Sequence, residues 1–222
     1  MMLKEIKTLI YKDLQLEWRQ KYAINGMLLY IVSTIYICYM SFKLKSNEIN
    51  AITWNTLFWI IILFTAITSI SKSFTQDREG RLLYLYSLVS AESIIISKII
   101  YNTLLLTVLS SIGFLFYSII MGNPVADNWM YYLSVIFGSI GFASTLTLVA
   151  SIASKSENSA MLMAILSFPI IIPLLLLILK VSKNAMDGLD RSISYDELMI
   201  LTAIDAIVIV LSVILFPYLW RS

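Results

Sequence analysis

The sequence predicts an all-α polytopic membrane protein, with six transmembrane helices behind an N-terminal interfacial amphipathic helix. Three observations carry this. Of 222 residues, 59% are hydrophobic and only 14% are charged, whereas soluble domains average about 25% charged residues. Mean hydropathy is +0.84. The apolar residues fall in runs of about twenty, the length that crosses a hydrocarbon core, and not in shorter runs with a polar stripe.

Residues 2–21 read as the amphipathic helix. Leu3, Ile6, Ile10, Leu14 and Trp18 recur at intervals of three and four, and Lys4, Thr8, Lys12, Gln15 and Arg19 take the other side at the same spacing. A membrane span follows at once, so the helix is expected to lie in the membrane interface, basic face toward headgroups. Charge persists through Lys21 and the next apolar run is too long for a signal peptide, so no cleavable leader is expected. The predicted division is an interfacial helix over 1–22 and a transmembrane domain over 23–222. The spans are read at about 23–42, 51–71, 99–121, 129–153, 159–180 and 198–219.

Charge bias orients these spans. With the N-terminus inside, the inner side holds Lys4, Lys7, Lys12, Arg19, Lys21, Lys72, Arg78, Arg81, Lys98, Lys155 and Arg221. The outer side holds Lys43, Lys45, Lys180, Lys183 and Arg191. An excess of eleven bases over five among the 16 predicts cytoplasmic N- and C-termini. Trp18 and Trp220 would then mark the inner interface, and Trp54, Trp129, Tyr131 and Tyr132 the outer one.

Composition narrows the chemistry. There is no histidine, the commonest general base and metal ligand. The single cysteine, Cys38, can form neither an internal disulfide nor a cysteine metal cluster and reads as a small buried hydrophobe. A net charge of +2 gives a nucleic-acid partner no electrostatic support. No Gly-x-x-x-x-Gly-Lys-Ser/Thr pattern is present, so ATP hydrolysis by a phosphate-binding loop is excluded for this chain. No catalytic residue, bound cofactor or metal site is assigned, although nucleophiles that need no histidine stay open.

Four features remain as candidates. The 72–98 connection is the largest one on the inner side. Its charged turn Asp77-Arg78-Glu79-Gly80 leads into Leu82 and Leu85, a plausible docking element for a soluble partner or else a solvated loop. In span five, Pro169 and Pro173 each delete a backbone donor and lie four apart on one face, which predicts a bent or locally unwound helix near Ser167. In span six, Asp205 is an intramembrane acid, either functional or reaching toward the outer interface. In span four, Ser134, Gly138, Gly141 and Thr145 form a narrow surface for close helix packing, while Asn25, Asn55 and Asn102 suit interhelical hydrogen bonds. The outer acids Asp187, Asp190, Asp196 and Glu197 are the only cluster that would suit a small membrane enzyme, and they read as a solvated loop.

Three stretches carry a family resemblance. They are Lys12-Asp13-Leu14-x-x-Glu17-x-Arg19, then Ser73-Phe74-x-x-Asp77-x-x-Gly80-x-Leu82 running on to Ser97-Lys98, then Leu166-Ser167-Phe168-Pro169-Ile170-Ile171-Ile172-Pro173-Leu174-Leu175. With the span order, they resemble the ABC-2 (type V exporter-like) permeases of ABC transporters. Among these the chain looks most like the cytochrome c maturation permeases, the CcmB or heme exporter protein B family. Positions 88–90 depart from the pattern, reading Leu88-Val89-Ser90 where the family is expected to carry prolines.

The resemblance covers nearly the whole chain. It implies an inner-membrane permease subunit, a homodimer within its complex, in contact with membrane lipid and without nucleic acid. Its partners would be a CcmA-like ATP-binding subunit, a CcmC-like heme-handling subunit, a small CcmD-like subunit and a CcmE-like heme chaperone. ATP would then sit on the partner subunit and heme would be handled by the complex, either exported or released with its chaperone. Residues 72–98 would be the ATPase-coupling segment. The alternative is an ABC-2 permease exporting a drug, lipid or polysaccharide. Without histidine, heme ligation here would fall to Met or Tyr, and no spacing flags one.

Overall fold

The computed structural model describes residues 2–19, 22–43, 49–75, 88–154 and 159–221, and the described residues are almost entirely helical, with no strand among them. The helices are α1 (Met2–Arg19), α2 (Tyr22–Lys43), α3 (Ala51–Thr75), α4 (Ala91–Met121), α5 (Asn128–Ala153), α6 (Ser159–Met186) and α7 (Tyr195–Arg221), with a 3-10 turn over Arg191–Ser194 before α7. The six from α2 to α7 are each long and apolar enough to cross a membrane.

α5 is the hub. Every residue from Gly141 to Ser151 is buried, and the helix packs on α3, α4, α6 and α7. A helix apolar on all sides belongs in the middle of a bundle. Its glycines set how closely the neighbours approach. A Cβ at Gly138 would stand 2.7 Å from the Trp59 ring of α3, and one at Gly141 would stand 2.7 Å from Leu174 of α6. Ser134 and Thr145 are buried on the same helix, so the small-residue surface predicted for span four is used for close packing.

α2, α6 and α7 leave broad apolar faces open, among them Leu29, Tyr36, Ile165, Leu176, Ile207 and Ile214. In a membrane such faces suit lipid or a neighbouring apolar helix. Pro169 and Pro173 are exposed on α6, which runs from Ser159 to Met186 through both prolines. Ser167 Oγ donates to Met163 O at 2.6 Å.

α4 has 31 residues and starts at Ala91, eight residues before the predicted span. At 1.5 Å per residue it is about 46 Å long, against a hydrocarbon core of about 30 Å. Ser90 caps it by accepting from Ser93 N at 3.3 Å. The extra length is where α1 packs.

At the opposite end the connections over 122–127 and 187–190 are short and tied down. Gly122 breaks α4 at φ 81°. Asp127 accepts from Met130 N at 3.1 Å and caps α5. Arg191 Nε donates to Asp127 Oδ2 at 2.7 Å, while its second nitrogen reaches Oδ1 at 3.2 Å, a two-bond fork joining the 3-10 turn to α5. Trp54 and Tyr131, expected as markers of the outer interface, are instead fully buried in this half, whereas Trp129 is exposed. Their polar atoms explain the difference, because each finds a partner inside. Trp54 Nε1 donates to Gly122 O at 3.0 Å and Tyr131 OH to Asn55 Oδ1 at 3.0 Å. Trp18 is exposed near the other end, and the side chain of Trp220 lies outside the described residues.

Candidate coupling site at the roots of the 76–87 segment

Asp77, Arg78, Glu79, Gly80, Leu82 and Leu85 lie outside the described residues. The two ends from which their segment springs are described: Lys98 of α4 holds the end of α3, and α1 holds the start of α4.

α1 has three edges. Lys4, Thr8, Gln15 and Arg19 are exposed on the polar one. Leu3, Leu14 and Trp18, from the predicted apolar stripe, are exposed on the second. The edge that meets protein is a third one, made of Ile6, Leu9, Asp13 and Glu17. Glu5, Asp13 and Glu17 are separated by eight and four residues, so helical geometry brings their side chains to one side. That side lies along the first turns of α4.

The contacts follow in register. Glu5 Oε2 accepts from Ser93 Oγ at 2.9 Å and from Ser90 Oγ at 3.3 Å, at the capped start of α4. The Ser93 hydroxyl, with smaller contributions from the Ser90 N–H and hydroxyl, holds the Glu5 carboxyl below its ordinary value. A carboxylate is also favoured there by the helix N-terminus. One turn on, Lys98 Nζ lies 3.4 Å from Asp13 Oδ2, both side chains 7% exposed. Lys98 also donates to Ser73 O at 3.0 Å and Ser73 Oγ at 3.4 Å, at the end of α3, and stands 5.8 Å from the centre of the Phe74 ring. Farther along, Tyr101 OH donates to Glu17 Oε2 at 3.1 Å. Glu17 Oε1 is buried without a hydrogen-bond partner among the described residues.

An apolar cluster seals this junction. Leu9 of α1, Ile94, Ile95 and Ile99 of α4, and Phe216 of α7 pack together, with Phe74 and Val89 against them. Lys98 therefore ties α3 to α4 on either side of the 76–87 segment, and Asp13 and Glu5 tie α4 to α1. A buried pair of this kind contributes little net stability, but removing one partner costs about 3–5 kcal/mol because the other charge is left uncompensated. The arrangement fixes relative position: the two roots of the segment cannot part without breaking the Lys98 contacts.

Sequence reasoning singled out Asp13, Glu17, Ser73, Phe74 and Lys98 only as parts of separate motif stretches, and the fold brings all five together. It named Ser90 only as part of a departure from the family pattern, and it did not single out Glu5, Ser93 or Tyr101. The available signal was three carboxylates on one edge of an otherwise basic helix. Of the other candidates, Asp205 is buried at 4% exposure on α7, well away from this junction along the chain. Asn55 and Asn102 do bond between helices, to Ser182 at 2.9 Å and to Thr147 at 2.9 Å, whereas Asn25 is exposed. The outer acids are dispersed into structural contacts: Asp190 caps the 3-10 turn and Glu197 Oε1 lies 2.6 Å from Lys180 Nζ, while Asp187 and Asp196 are exposed.

No curated protein matches this chain. A protein family does: the match is to the family described as CcmB protein, over residues 4–219 of 222. That span runs from the start of α1 to the end of α7 and includes the whole junction. The family is one of heme exporter permeases in cytochrome c biogenesis, working as subunits of the Ccm complex, and a multi-pass place in the inner membrane agrees with the six long apolar helices. With nearly its full length matched, the chain belongs to the CcmB family.

Proposed function

We propose that this chain is the permease subunit that takes up the motion of a separate ATP-binding subunit through residues 76–90. The observation that carries the reading is the clamp at the roots of that segment. A force on 76–87 reaches α3 and α4 where Lys98 joins them, and reaches α1 through Asp13 and Glu5. The partner set is the CcmA-, CcmC-, CcmD- and CcmE-like group that the family suggests, with this chain as a homodimer. The termini and the 76–90 segment face the cytoplasm, which the excess of basic residues on that side supports. ATP is hydrolysed on the partner, and the motion promotes heme export or release of the heme-loaded chaperone. The absence of histidine favours a mechanical role, with no heme ligated by this subunit.

The test is a docking variant. Leu82→Asp with Leu85→Asp places charges where a docked helix would bury leucines, and a buried charge without a partner is strongly disfavoured. The variant inserts in the membrane but is expected to lose the ATP-binding subunit on purification in mild detergent. Lys43→Ala with Lys45→Ala, on the side that charge bias reads as outer, keeps it. If the docking variant retains its ATPase and supports cytochrome c maturation, the segment is only a solvated connection.

A further inference from the structure

We propose that Asp205 is a proton-binding site inside the membrane, its carboxyl held as the neutral acid where α5, α6 and α7 meet. This stands apart from the coupling role, and either can fail without the other.

Three observations carry it. Asp205 is 4% exposed, and its Oδ1 is enclosed without a hydrogen-bond partner among the described residues. The space beside that oxygen exists only because residue 141 is glycine: a Cβ there would stand 2.9 Å from Oδ1 and 2.7 Å from Leu174 Cδ1. A packed seam of this kind has room for a proton and not for a metal ion or an organic cation.

The third observation is the lack of an available countercharge among the described residues on the packed elements. α5 has no charged residue from Asn128 to Ala153. On α6 the cations are Lys180 and Lys183. Lys180 Nζ is 2.6 Å from Glu197 Oε1, eight residues before Asp205, or about 12 Å along α7. Lys183 is exposed beyond it. On α4, Glu92 and Lys98 belong to the α1 end, where Lys98 bonds Ser73 and Asp13. Arg191 of the 3-10 turn is bonded to Asp127. On α7 itself, Asp196 lies beside Glu197 and Arg221 is at the last turn.

An ionised carboxylate in such a place is desolvated and unpaired, which costs several kcal/mol, so the neutral acid is the stable form. Proton loss then requires water or a cation to enter the Gly141 seam. Ionisation of Asp205 and separation of α7 from α5 become linked events, each favouring the other.

Infrared difference spectroscopy tests this on the full chain reconstituted in phosphatidylcholine vesicles at neutral pH. The spectrum of the chain minus that of Asp205→Asn is expected to show the carbonyl stretch of one protonated carboxylic acid. Loss of an ionised carboxylate stretch in its place would overturn the proposal. Should Asp205→Asn fail to fold, Asp205→Glu replaces it: a displaced protonated-acid band supports the site, and an unchanged band overturns it. Absence of any protonated-acid band from the unsubstituted chain overturns it with no variant at all.

Discussion

The two ends of this bundle are built from different chemistry. At the end away from α1, the packed interior is neutral, and the ion pairs there, Arg191 with Asp127 and Lys180 with Glu197, have their basic member exposed. Trp54, Phe58, Tyr117, Tyr131 and Phe114 form one aromatic cluster, with Trp54 and Tyr117 centred 4.6 Å apart and Phe114 and Tyr131 5.0 Å apart. Their polar atoms are engaged inside: Trp59 Nε1 donates to Ser182 Oγ at 3.0 Å, Asn55 Nδ2 to Ser182 Oγ at 2.9 Å, and Tyr117 OH to Trp54 O at 2.9 Å. At the α1 end the partners are charged, and the buried Glu17 Oε1 is unsatisfied among the described residues. Satisfied aromatic packing holds a single arrangement. A charged junction contributes less stability but fixes position and can re-pair when its surroundings shift. The first end anchors, and the second is suited to receive movement.

Substitutions at the two ends sharpen this contrast. The largest loss of stability is expected from Trp59→Ala, since it empties the space that Gly138 was shaped to admit. The expected loss is about 3–5 kcal/mol, read as a lower unfolding midpoint in detergent. If Trp59→Ala unfolds at the wild-type midpoint, that half is not the anchor. Next is Lys98→Ala, which leaves Asp13 with Lys12 Nζ, 3.1 Å from its Oδ1, as its remaining cation, so the loss should fall below the about 3–5 kcal/mol of a buried charge with no partner. Partial exposure of α1 is expected to reduce that, so the midpoint should fall less than for Trp59→Ala.

Acid should loosen the α1 end only slightly. The folded carboxyl of Glu5 is held below its ordinary value by the Ser93 and Ser90 donors. Its stabilising contribution is therefore complete above the ordinary Glu pKa of about 4.3 and disappears as pH falls through the lower folded value. Hydrogen exchange at the amides of α1 should rise in that acid window, and Glu5→Gln should remove the pH-dependent part. An equal response in both chains would exclude Glu5 as the source.

Orientation is checked separately. Single cysteines at Ser46 and Asn184 should react with an impermeant thiol reagent from outside intact cells, and one at Ser156 should not. The reverse pattern would turn the whole account over.

Much of the architecture was legible because a bilayer imposes it. Run length marks the six spans, and Gly138 and Gly141 mark the helix that others approach closely. The junction was harder to read. On α1 polarity suggests a face toward water, yet Asp13 and Glu17 turn toward protein because Lys98 and Tyr101 await them on α4. Only the fold brings those partners together. The same ambiguity misplaced Trp54 and Tyr131: aromatic residues near span ends suit an interface, and no pattern in the sequence reveals that Gly122 O and Asn55 Oδ1 satisfy them inside. α4 starts early for a related reason, since Ser90 and Ser93 form a cap whose acceptor, Glu5, is 85 residues away from Ser90.

The most direct test of the coupling account separates the junction's stability from its role. Asp13→Leu with Lys98→Met replaces the buried pair by apolar side chains, a change that is commonly neutral for stability. The account predicts that this double variant accumulates in the membrane, keeps its ATP-binding subunit and leaves that subunit hydrolysing ATP, while maturation of c-type cytochromes falls to background. Maturation at the wild-type level in a complex that lacks both charges would contradict it.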